Sequence, residues 1–115
     1  VAAKTYTCSF VDPGRNRSIP KTVVVETNAQ GTATVVDPLL ETYQQSPKTA
    51  RFLEDTDDIL RVHYRIDDVD FADGGKSDLD FSLVYNKSKM RAWISVTIPN
   101  YDNTDSGTGS CEEMK

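Results

Sequence analysis

A chain of 115 residues, 37% hydrophobic and 27% charged, has the length of one domain and the composition of an ordinary folded one. Its net charge of −5, from 13 basic and 18 acidic side chains, argues against a nucleic-acid partner, which needs a basic field. No apolar run approaches the roughly 18 residues of a membrane span, so no transmembrane segment is expected.

Val1-Ala2-Ala3 lacks the charged start and apolar run of a signal peptide, so any export signal is expected to have been removed already. The two cysteines, Cys8 and Cys111, sit at the extremes of the chain. Their spacing is not CxxC, and two ligands cannot complete a structural zinc site. One disulfide is the simplest reading, and it implies an oxidising compartment, hence an exported protein, periplasmic or extracellular.

Residues 5–10 alternate, with Tyr6, Cys8 and Phe10 on one face, as a first strand. Residues 11–21 carry Pro13-Gly14 and Pro20 and read as a loop. Residues 22–27, TVVVET, are β-branched and form a second strand. Asn28-Ala29-Gln30-Gly31 makes a turn into a third strand over 32–36. Asp37 then suits a helix cap and Pro38 a first helical position, giving one short helix near 38–45 that plugs an end of the core.

Residues 49–54 read as a short strand with Ala50 and Phe52 on one face, ended by the acidic turn 55–58. Residues 59–66, ILRVHYRI, alternate cleanly: Leu60, Val62, Tyr64 and Ile66 inward, Arg61, His63 and Arg65 outward. Val69 and Phe71 extend this strand or start another. The stretch 73–78, with Gly74-Gly75, reads as a flexible loop. A central hairpin follows over 79–98 around a break at Asn86-Lys87-Ser88-Lys89. Pairing Tyr85 with Met90 sets Leu83 opposite Ala92 and Phe81 opposite Ile94, with both apolar faces on one side. Residues 100–110 are polar and glycine-rich, an arm or loop returning to Cys111, and 112–115 a frayed end. The whole is a single mainly β domain, 1–115: an antiparallel barrel or sandwich of six to eight strands with one helix.

Acidic residues at short spacing over 67–73 are the ligand type of calcium, but the EF-hand pattern fails there, with Ala72 at a ligand position. A second frame, Asp102, Thr104, Ser106, Gly107 and Glu113, encloses Cys111 and lacks flanking helices. Both stretches read as solvated acid, and no metal or cofactor is expected. His63, the lone histidine, sits between Arg61 and Arg65 on the outward face, with no GxSxG to supply a nucleophile elbow. A hydrolase is therefore the least supported reading.

If 59–66 pairs with 79–85, a three-stranded meander presents Arg61, His63, Arg65, Val84, Arg91 and Trp93 on its outer side, the arginines, His63 and Trp93 being the candidate binding residues. Arginine and tryptophan dominate binding hot spots. The alternation leaves open whether Trp93 is exposed or covered by the helix or the 100–110 segment. This face makes a non-enzymatic binding module for another macromolecule the leading expectation. The alternative is a small-ligand, calycin-like carrier lined by Tyr64, Phe81, Tyr85 and Met90. Oligomeric state is not legible.

The opening Tyr6-Thr7-Cys8 strand and the closing Gly107-Thr108-Gly109-Ser110-Cys111 resemble the ends of the lysozyme-inhibitor family of exported eight-stranded barrels. The resemblance implies a bridged β-barrel in an exported protein. That family's Ser-Gly-x-x-Tyr inhibitory motif is absent, so no inhibitory residue carries over.

Overall fold

The structure is a computed structural model that describes residues 4–11, 21–70, 74–98 and 104–114. Nine strands and one helix follow one another: β1 (Thr5–Val11), β2 (Thr22–Thr27), β3 (Ala33–Val36), α1 (Pro38–Thr42), β4 (Lys48–Thr49), β5 (Phe52–Asp55), β6 (Ile59–Asp70), β7 (Lys76–Asn86), β8 (Arg91–Thr97) and β9 (Thr104–Met114). All nine strands belong to one antiparallel sheet, ordered β4-β3-β2-β1-β9-β8-β7-β6-β5 and curled into a half-barrel. One continuous sheet excludes the sandwich.

The edge strands β4 and β5 are consecutive in the chain, separated by Ala50 and Arg51. Ala50 N–H donates to Ala33 O at 2.8 Å, and Arg51 N–H donates to His63 O at 2.7 Å. The two edges of the curled sheet are thus joined by a single length of chain, which leaves neither as a long unpaired template. The expected strand over 49–54 is split here, and its alternation changes phase. Ala50 packs against the core, whereas Phe52 is 47% exposed, so the two do not share a face.

The inward positions form one core. Tyr6, Cys8, Val23, Val25, Val35, Leu60, Val62, Tyr64, Ile66, Leu83 and Ile94 are almost wholly buried. Burying a Leu, Ile, Val or Phe side chain contributes roughly 1.5–3 kcal/mol, so this face fixes which way each strand turns. Tyr64 and Phe81 stack at 4.9 Å inside it.

Four further elements differ from their sequence expectation. The helix stops at Thr42, because Gln44 takes a positive φ of 58° and its N–H bonds back to Glu41 O. In the central hairpin Tyr85 pairs with Ala92, Leu83 with Ile94 and Phe81 with Val96, two residues away from the expected register. The loop is Lys87–Met90 rather than 86–89, held by Asn86 Oδ1, which accepts from Lys89 N–H at 3.2 Å. Met90 has a φ of 55° and is 65% exposed at the tip, not inward. A slip of two preserves the side-chain parity, so the buried face is the expected one. Lys76, Ser77 and Asp78, expected as loop, open β7, and Lys76 and Ser77 pair with Asp70 and Val69 at the end of β6, beyond a register shift between Ile66 and Val69. The largest difference is β9: an eleven-residue strand stands where an arm and a frayed end were expected, and it pairs with both β8 and β1. From Thr104 onward the 102–113 calcium frame is extended strand, which cannot wrap an ion. Phe71 and the 12–20 part of the first loop lie outside the described residues.

Candidate functional site

The outer face of β6–β9 is a grid fixed by register. Arg61 faces Val84, then Trp93, then Thr108; His63 faces Ser82, then Ser95, then Ser106; Arg65 faces Asp80, then Thr97. Arg91 lies at the hairpin end, opposite Asn86. All five candidate binding residues therefore emerge on one side of the sheet. Trp93 is 42% exposed.

They do not form one cluster. Arg61 and Trp93 stand two strands apart, about 10 Å at the usual strand spacing. Nor is their charge equally available. Arg61 Nε lies 3.3 Å from Glu54. Arg65 donates to Asp80 through Nε at 2.6 Å and Nη2 at 3.2 Å, and its Nη1 lies 3.5 Å from Asp78. The fork-to-fork bond with Asp80 raises the Arg65 pKa still further. Arg91 has no ion-pair partner among the described residues.

Among the described residues, two clefts open on this face. One, of about 220 Å³, is lined by Val11, Arg91, Ala92, Trp93, Thr108 and Gly109. Val11 is 72% exposed and Trp93 forms the opposite apolar wall. Gly109 is essential to its floor, since a Cβ there would collide with the Ser9 backbone carbonyl of β1. The second, of about 400 Å³, lies around Phe52, His63, Arg65, Asp80, Ser82 and Thr97. Phe52 leans on the His63 ring at 5.2 Å between centroids.

Sequence reasoning missed Val11, Thr108 and Gly109 because β9 was not recognised as a strand. It missed Phe52 because the chain's phase changes at Ala50-Arg51, which no local pattern marks. Asp80 and Ser82 were legible as outward positions of β7, opposite Arg65 and His63.

Two polar clusters face inward instead. At one end Lys87 Nζ donates to Asp55 Oδ1 at 2.6 Å, Thr56 O at 2.6 Å and the Tyr6 hydroxyl at 3.0 Å. Burial pulls the Lys87 pKa down, but the bonds to Asp55 and Tyr6 outweigh it and leave it raised. A raised lysine pKa opposes nucleophilic use. Elsewhere, Asp37 caps α1 through Oδ1 and accepts the Tyr64 hydroxyl through Oδ2 at 2.6 Å. Among the described residues no group of three or more His, Cys, Asp or Glu side chains could hold a metal ion.

The fold and this face define a disulfide-bridged, antiparallel half-barrel with a polar and aromatic outer sheet. No protein-family model matches the chain, and neither does a curated protein or a solved structure.

Proposed function

We propose that the protein is an exported, non-enzymatic module that binds another macromolecule through the outer face of β8 and β9. The observation that supports this most is the Val11–Trp93 cleft, with Arg91, which has no ion pair among the described residues, beside it. Half-exposed tryptophan next to an arginine is the composition of a binding hot spot. The Cys8–Cys111 bridge supports an oxidising compartment, and no helix is long and apolar enough to cross a membrane. The resemblance to exported lysozyme-inhibitor barrels points the same way. The carrier reading is weakened from within: Tyr64 and Phe81 stack on each other, and Met90 points out at a hairpin tip.

The test is capture from an extracellular protein fraction by immobilised wild type and by an Arg91→Ala/Trp93→Ala variant. The variant is expected to lose about thirtyfold in affinity, the equivalent of a hot spot worth about 2 kcal/mol, with an unchanged unfolding midpoint. Trp93 is the sole tryptophan, so its emission reports directly on contact at this cleft. Equal capture by both proteins overturns the proposal.

A further inference from the structure

The second cleft, of about 400 Å³, is chemically unlike the first. One wall is the Phe52 ring, half exposed and propped on His63. The opposite side carries the hydroxyls of Ser82 and Thr97, neither of which makes a hydrogen bond among the described residues. Between them Asp80 is held by the two-pronged grip of Arg65. Each hydroxyl can both donate and accept, and a carboxylate gripped by one arginine still has lone pairs to offer.

The charges are mixed. Arg51, Arg65 and Asp80 line the cleft, and Arg65 is paired with both Asp80, at 2.6 Å, and Asp78, at 3.5 Å. An anionic ligand would meet Asp80, and a cationic one would meet two guanidinium groups. A wholly apolar ligand would strip water from Ser82, Thr97 and Asp80 without replacing their hydrogen bonds, which costs free energy. What remains is a neutral molecule with one apolar C–H face and a rim of hydroxyls. A pyranose ring has that anatomy, and its volume suits a cleft near the small end of ligand pockets.

We infer that the Phe52–His63–Asp80–Ser82–Thr97 cleft is a binding site for a neutral saccharide ring. The C–H face of the sugar lies on Phe52, and its hydroxyls bond to Asp80, Ser82 and Thr97. The site goes beyond the binding-module reading: it uses none of the residues of the Val11–Trp93 cleft, so the two can fail separately.

The experiment is an amide-shift titration of the full, disulfide-bonded chain with tri-N-acetylchitotriose and with maltotriose. Saturable shifts at Phe52, His63, Ser82 and Thr97, with a Kd of about 1 mM for at least one sugar, are the expected result. Phe52→Ala, which truncates an exposed ring, and Ser82→Ala, which removes only a hydroxyl, should each weaken binding about tenfold. Trp93→Ala should leave it unchanged. Absence of saturable shifts with both sugars overturns the inference while leaving capture at Trp93 standing. Shifts centred on Trp93 overturn it too, as does equal occupancy of the cleft by inorganic sulfate or by tetra-alanine.

Discussion

Asp37 shows how much one side chain can do in this chain. It caps α1 with one oxygen and takes the Tyr64 hydroxyl with the other, at 1% exposure. The turn into the helix is thereby fastened to the centre of β6. Burial, then the neighbouring Asp37 carboxyl, pushes the Tyr64 pKa well above its ordinary 10.0. The native state therefore holds the phenolic proton more tightly than the unfolded chain does. That contribution is complete below pH 10 and is lost as pH rises toward and through the folded value. Tyr6 is raised as well, by burial first, so wild-type stability should fall steeply on the alkaline side. Tyr64→Phe leaves Asp37 short of a donor and should cost about 1–3 kcal/mol at neutral pH. It should also flatten the alkaline decline without abolishing it, because Tyr6 still titrates. Denaturant unfolding at neutral pH and near pH 11 measures both effects. An unchanged slope would show that Tyr64 is not the dominant group.

At the scale of elements, period-two alternation made most strands legible, because a residue facing a dry core must be apolar. β2 has its expected bounds, and the outward set of β6 emerges where alternation put it. The hairpin loop was misplaced because Met90 looks like a strand residue. Its positive φ follows from how the Asn86 side chain organises the turn, which apolarity does not encode. β9 was hidden for a related reason: TDSGTGSCEEM has almost no apolar alternation. Its inward Gly107 is buried without a large side chain, and Gly109 lets β1 approach closely. Of the candidate site, the arginines, His63 and Trp93 could be read from local pattern. The two clefts could not, since each needs a strand partner distant in sequence. Long-range pins were equally invisible. Lys87, Asp55 and Tyr6 tie the β7–β8 hairpin to β5 and β1, with side chains of Lys87 and Asp55 only 17% and 11% exposed. Lys87→Met should cost about 1–3 kcal/mol by leaving the Asp55 carboxylate with the Tyr6 hydroxyl but no cation. Lys87→Met/Asp55→Leu should cost less than the sum of its two single variants, and a double-mutant cycle on unfolding midpoints reads that coupling. Strict additivity would mean the contact contributes no coupling energy.

For the whole molecule, closure depends on strands from opposite ends of the sequence. β1 and β9 lie side by side in the middle of the sheet, and Cys8 faces Cys111 across that seam at a sequence separation of 103. The seam closes a loop of nearly the whole protein, so its pairing carries a large loop-closure entropy. The seam is also poor in apolar surface on the β9 side, so the covalent bond stands where packing is thin. In the chain-entropy model, closing about 100 residues contributes up to about 4.7 kcal/mol, comparable with the whole stability of a small domain. Reduction, or Cys8→Ser with Cys111→Ser, should therefore lower unfolding free energy by about 2–5 kcal/mol. Hydrogen exchange should show where the loss falls. Amides of β1 and β9 should lose protection first, while those of β6 and β7, whose long pairing is independent of the seam, should hold longest. If protection instead fell evenly across all strands, the bridge would be acting only on the unfolded chain rather than holding a weak seam.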